Sequence, residues 1–157
     1  MESIMPTVYV LVGVPGTGKS TWIHDQDWTQ DCVVVSTDLF VEQEAQRQGK
    51  TYNEVFDDYM PTAVDLMVDQ VIQAREAGQD IIWDQTSTTV ASRRKKFKML
   101  PDYHAVAVVF ATPDPVELER RLNSRPGKLI PWNVMQGMIS SFKMPTEDEG
   151  FDEIWYT

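Results

Sequence analysis

Residues 13–20 read Gly-Val-Pro-Gly-Thr-Gly-Lys-Ser and stand directly behind the β-branched apolar run of residues 7–12. This pattern, G-x-x-x-x-G-K-[ST] between a strand and a helix, constrains the chain more than any other feature. The glycines let the backbone wrap a phosphate, successive N–H groups point inward, and the next helix adds the positive end of its dipole. The motif predicts a nucleoside triphosphate site formed by Gly13, Pro15, Gly16, Thr17, Gly18, Lys19, Ser20 and Thr21. Lys19 would reach the β- and γ-phosphates and the Ser20 hydroxyl would ligate Mg²⁺, so ATP and Mg²⁺ are the implied cofactors. A chance glycine turn carrying a surface lysine does not account for the flanks. The motif is silent on what accepts the phosphoryl group.

Strand and helix patterns alternate along the chain. Residues 7–12, 32–35, 81–83 and 105–110 are short apolar runs that read as buried strands, with residues 154–156 as a fifth. Helices are expected over 20–27, 38–48, 51–77, 90–100, 116–123 and from Pro131 through Phe142. Thr51-Tyr52-Asn53-Glu54 has capping-box spacing, and Gly49 and Gly78 fit helix stops. Pro61 is expected to break or kink the long helix. Val64, Met67, Val68, Val71 and Ile72 are expected on its inner face, and Leu39, Phe40 and Val41 on that of the helix before it. The fold class is α/β: a three-layer sandwich around a mostly parallel five-stranded sheet, with a helical lid. Ligands in such sheets bind beyond the carboxyl ends of the strands.

The 157 residues suit one domain, 1–157, and 42% hydrophobic with 24% charged residues excludes a disordered or fibrous chain. Cys32 is the single cysteine, so no internal disulfide forms; beside three valines it is expected in the core. No secretory leader and no membrane-length apolar run are read, and the expected setting is reducing and cytoplasmic, with no membrane or obligate protein partner. The net charge of −10 opposes loose, field-driven binding of nucleic acid. Of 14 lysines and arginines, however, five lie between Arg93 and Lys98 and four between Arg120 and Lys128, and such focused charge can hold a phosphate-bearing ligand.

Two aspartates close predicted strands and would face the crevice of the phosphate loop. Asp38 suits a general base on an acceptor hydroxyl, and Asp84 suits an anion that orders Mg²⁺. The plainer readings are a helix cap for Asp38 and a turn residue for Asp84. Arg121 and Arg125 are four apart and share a helix face, so they can clamp the transferring phosphoryl group from a lid at about residues 120–130, hinged at Pro126-Gly127. A solvated helix end is the alternative. Arg93 and Arg94 begin a basic helix near the crevice, where charge would help a phosphate-bearing acceptor, although a solvated face is the commoner origin of such a run. The acceptor is thus expected against Asp38, Asp84, Thr86, Arg93 and Arg94. Trp83 and Tyr52 are candidates to stack on an acceptor base, and His24 and His104 have no partner pattern.

The order GVPGTGKSTW, STD, IIWDQT and RRLNSRPGKLIP resembles the 5′-hydroxyl polynucleotide kinase domain of bacteriophage end-healing enzymes over nearly the whole chain. Small P-loop kinases of the gluconate-kinase and zeta-toxin type share this spacing. The resemblance implies a P-loop kinase fold in which Lys19 and Ser20 bind triphosphate and metal, Asp38 is the general base, Asp84 belongs to the acceptor site, and Arg121 and Arg125 are lid arginines. The family places an arginine three residues after the base to hold the acceptor's 3′-phosphate. Val41 stands there, with Arg93 or Arg94 as substitutes. The implied acceptor is a nucleic-acid 5′-OH end or a nucleotide-like molecule. A sugar or nucleoside is the second choice, and a non-catalytic NTP-binding module the third.

Overall fold

The computed structural model describes residues 5–157. The apolar runs become β1 (Thr7–Val12), β2 (Val33–Val35), β3 (Ile81–Trp83), β4 (His104–Val109) and β5 (Glu153–Tyr156). They form one sheet in the order β2-β3-β1-β4-β5, every adjacent pair parallel, with Tyr9 level with Ile82 on one side and Val106 on the other. The helices between them are α1 (Lys19–Asp25), α2 (Thr37–Gln48), α3 (Tyr52–Glu76), α4 (Val90–Met99), α5 (Pro115–Asn123) and α6 (Trp132–Ser141).

Both sheet faces are covered, which is why the strands are apolar throughout. Val8, Val10, Val12, Ile81, Trp83, Ala105, Ala107 and Val109 pack against Met67, Val71 and Ala74 of α3 and Leu100 behind α4. Leu11, Ile82, Val106, Val108 and Phe110 face the other way, toward Trp22 and Ile23 of α1. Each such side chain contributes about 1.5–3 kcal/mol when fully buried, so the central strands are the most firmly held part of the molecule. Because β3 lies between β1 and β2, while β4 lies on the far side of β1, the loops leaving β1, β2 and β3 converge at one sheet edge.

The helix ends follow their sequence signals. Thr51 and Glu54 close a reciprocal capping box at α3, Thr89 caps α4, and the Asp114 carboxylate accepts from the Val116 and Glu117 amides at α5. Other expectations are corrected. The first helix stops at Asp25, and residues 27–31 form a 3-10 turn. Pro61 does not break α3, which runs unbroken through it; Asp57, whose carbonyl loses its partner, is exposed, so water can take the bond. Val64 and Ile72 lie on the solvent side of α3, because the inward stripe is Val55, Ala63, Met67, Val71 and Ala74. Leu39 is likewise exposed. Cys32 is only half-buried, just before β2 on the sheet's margin, and burial pushes its thiol up to about 11. No described helix is long and apolar enough to cross a membrane.

Candidate active site

A cavity of about 770 Å³ opens at the carboxyl edge of the sheet, lined on one side by Pro15, Gly16, Thr17, Gly18, Lys19, Ser20 and Thr21. Gly18 sits at φ 95° immediately before α1, and a Cβ there would point into open space. Backbone conformation therefore demands the glycine, since left-handed φ is strained for other residues. The Lys19 ammonium rests on the Gly13 and Val14 carbonyls at 2.7 and 3.0 Å, and the Thr17 hydroxyl donates to the Val14 carbonyl at 2.9 Å. Burial pulls Lys19 down to about 8, against the pull of Asp84 and then Asp38 in the opposite direction. A cation held at a desolvation cost on loop carbonyls is placed to exchange them for an anion.

Asp38 and Asp84 line the same cavity as Lys19. Asp38 is the second residue of α2 and caps nothing: Ser36 is the N-cap, with no side-chain bond of its own. The Asp38 carboxylate instead accepts the Tyr52 hydroxyl at 2.5 Å and the Lys128 ammonium at 3.3 Å. Asp84 follows β3, with its amide bonded to the Val35 carbonyl at 2.8 Å. Burial pushes its carboxyl above the usual range, and Lys19 partly offsets this. Thr86 also lines the cavity, and its carbonyl accepts the Gly13 amide at 3.0 Å, tying the loop after β3 to the glycine loop.

Arg121 and Arg125 reach the same space. Arg121 donates to Glu117 at 2.9 Å and to the Gly16 carbonyl at 3.2 Å. Arg125 has buried Nε and Nη2 atoms with no protein partner. Buried donors without acceptors are costly, and in a cavity rimmed by a glycine loop they suit phosphate oxygens. The oxygens of Ser20 and Asp84 are hard donors of the kind Mg²⁺ takes alongside phosphates.

The two arginines of α4 are not brought to this cavity. The Arg93 guanidinium is fully buried. Its Nε and Nη2 donate to Glu149 at 2.5 and 3.1 Å, and Nη1 donates to the Ser87 carbonyl at 2.9 Å, so it is a buried structural ion pair that does not line the cavity. Arg94 is exposed and does not line the cavity. Val41 is fully buried between α2 and α3, so that position does not face the cavity. Trp83 is core, its ring N–H donating to Gln85 at 3.0 Å. Glu42 and Lys128 line the cavity but had no assigned role, and Tyr52, a candidate for base stacking, instead bonds Asp38. Glu42 was readable, since it lies one helical turn after Asp38. The lysine and tyrosine meet Asp38 only through the fold.

Residues 8–145 match the AAA domain family, a stretch from β1 to beyond the end of α6. The chain belongs to the AAA domain family. Solved structures of similar fold include a Chloroflexus aurantiacus protein designated, without a substrate, as a kinase (16% identity, 98% of this chain and 88% of that one, TM-score 0.73). A chain of the Pnkp1/Rnl/Hen1 RNA repair complex matches at 22% identity and TM-score 0.68, covering 89% of this chain and 45% of that one. A sugar kinase from Janibacter sp. HTCC2649 matches at 16% identity and TM-score 0.61, covering 96% and 85%. This AAA domain therefore has a P-loop kinase-type α/β fold, similar to those of a chain of the RNA repair complex and of a sugar kinase alike. It spans less than half of the RNA-repair chain that it matches.

Proposed function

We propose that this AAA domain is an ATP-dependent kinase that transfers the γ-phosphoryl group to a hydroxyl of a small acceptor carrying no phosphate, such as a sugar, a polyol or a nucleoside. One observation carries the choice of acceptor. The cavity around Asp38 is acidic, since Glu42 and Asp84 line it too, and the Lys128 cation beside them is already bonded to Asp38 and Glu42. A phosphate-bearing acceptor would meet repulsion there, and Arg93 is spent elsewhere. An uncharged hydroxyl finds acceptors in abundance.

In this reading the glycine loop and Lys19 hold the β- and γ-phosphates, and Arg121 and Arg125 close over them and stabilise charge on the transferring group. Ser20 and Asp84 would hold Mg²⁺, which shields the phosphate oxygens when bound. Asp38 takes the proton of the acceptor hydroxyl as the new oxygen–phosphorus bond forms. The bond to the β–γ bridging oxygen breaks with its electron pair, leaving ADP. The similarity to the RNA-repair chain and the motif order support a 5′-OH nucleic-acid end as the second reading. Incubation with γ-labelled ATP and a panel of sugars, polyols, nucleosides and a 5′-OH oligonucleotide tests both. Label on a small acceptor is the expected result, and label confined to the oligonucleotide selects the second reading. ATP binding without acceptor-dependent turnover would leave only a nucleotide-binding module.

A further inference from the structure

The lid carries two cations that the phosphate clamp does not use, and one of them, Lys128, lines the cavity. Lys128 is only 17% exposed although it lies in a surface loop. Its ammonium donates to Glu42 at 2.9 Å and to Asp38 Oδ2 at 3.3 Å, and stands 4.6 Å from the centre of the Tyr52 ring. The Tyr52 hydroxyl donates to the other carboxylate oxygen, Asp38 Oδ1. Each oxygen of Asp38 is thus gripped by a different element, one by the start of α3 and one by the lid.

Neither grip is incidental to its backbone. Asn53 pairs with Leu129 in both directions, its amide NH₂ donating to the Leu129 carbonyl at 2.8 Å and its carbonyl oxygen accepting the Leu129 amide at 2.7 Å. The Asn53 backbone amide donates to the Gly127 carbonyl at 3.1 Å. Gly127 sits at φ 68°, and a Cβ there would fall 2.8 Å from Thr51 Cβ, so only glycine lets the lid lie this close. The residues on either side of Lys128 are therefore pinned to the N-terminus of α3, next to Tyr52.

We propose that Lys128 and Tyr52 are positioning residues for Asp38, so that closing the lid completes the base as well as the phosphate clamp. The inference rests on reading Asp38 as the general base. A carboxylate offers about four lone-pair sites. Tyr52 and Lys128 occupy one on each oxygen and fix the rotation of the group, leaving the remaining pairs toward the cavity and the acceptor hydroxyl. Lys128 also offsets the Glu42 charge that would otherwise stand beside Asp38. The charged and titratable groups around Asp38 are Tyr52 from α3, Glu42 from α2, Lys128 and Arg125 from the lid, Lys19 from α1 and Asp84 after β3.

The test compares Lys128→Met, Lys128→Arg and Tyr52→Phe with wild type in steady-state kinetics over a range of pH, using the acceptor found in the labelling panel. Lys128→Met is expected to lower kcat by about a hundredfold, the scale of a misplaced reacting group. It should move the acid limb of the kcat profile to higher pH, because two carboxylates lose the cation between them, and leave KM for ATP within about twofold. Lys128→Arg should restore most of kcat, and Tyr52→Phe should move the same limb in the same direction. An unchanged acid limb in Lys128→Met, or a rise in KM for ATP alone, would overturn the proposal and leave Lys128 as a lid strut. Carbon-13 NMR of the Asp38 carboxyl, assigned by its loss in Asp38→Asn, reads the same shift without turnover. An upward titration in Lys128→Met supports the positioning even if no acceptor is labelled, and an unmoved titration refutes it even if one is.

Discussion

Asp38 carries the chemistry proposed here, and its environment makes a sharp test. Asp38→Asn keeps the size of the side chain and the possibility of a bond from Tyr52 but removes the proton acceptor. Transfer should fall by about 10²–10⁴-fold, the range that general-base catalysis supplies, while ATP affinity measured by calorimetry changes little, because Lys19 and the glycine loop are untouched. Lys96 tests a second single residue, one outside the site. Its ammonium is buried, donates to the Ser92 hydroxyl at 3.0 Å and lies 5.3 Å from the Trp83 ring centre. Burial, reinforced by Arg93 and Lys95, pulls it from 10.5 to about 8. Below about pH 8 the lysine is protonated in both folded and unfolded states, and the whole desolvation cost is present. Between there and 10.5 the folded chain releases the proton first, so the unfolded state binds more protons and this group's contribution to stability rises with pH. Lys96→Met should therefore stabilise the protein at neutral pH, by about 1–3 kcal/mol, with the gain shrinking as pH climbs through that window. Urea melts of both proteins at several pH values measure it.

At the scale of elements, α4 is tied to the 3-10 turn Glu147–Glu149 by the buried Arg93–Glu149 pair. Arg93→Met would strand a carboxylate that is 9% exposed and should cost about 3–5 kcal/mol, whereas Arg93→Met with Glu149→Leu should cost far less, because no unpaired charge remains. Urea midpoints give both numbers. At a temperature where Arg93→Met stays folded, KM for the acceptor should be unchanged, and a selective rise would return Arg93 to the acceptor site. This pair also shows where sequence reading stops. Elements were legible because local chemistry punctuates them: Gly13 after β1, Gly49 after α2, the capping box at Thr51 and Gly78 after α3. The glycine loop and the two strand-end aspartates were legible for the same reason, since parallel topology carries strand ends to one edge. Pairings across the fold were not. Glu149 lies 56 residues from Arg93 and Lys128 lies 90 from Asp38, and no local pattern links them. The α3 stripe was misjudged because Val64 and Ile72 fit helical spacing as well as the true inward face does, and only packing against α2 and the sheet settles which side is buried.

For the whole molecule, the net charge of −10 sets a background against which the two acceptor readings diverge. The field repels polyanions, and two cations near the site are committed, Lys128 to Asp38 and Glu42 and Arg121 to Glu117, while Arg125 keeps buried donors that no protein group takes. A small uncharged acceptor feels no net force from this field. Its kcat/KM should stay within about twofold between ~50 and ~200 mM salt, as the screening length shortens toward ~8 Å and below. A 5′-OH oligonucleotide held through several phosphates behaves differently, because each neutralised phosphate contributes a log–log slope of about −0.7 on single strands, and four contacts would cost more than tenfold over that interval. Competition between the two acceptors in one reaction, repeated at both salt concentrations, cancels any effect of salt on ATP binding or on the fold. A ratio that moves toward the small acceptor as salt rises, while its own rate holds, is the expected outcome. If the small acceptor loses activity as steeply as the oligonucleotide, it is being held through charge, and the acidic wall of Asp38, Glu42 and Asp84 cannot be its binding surface.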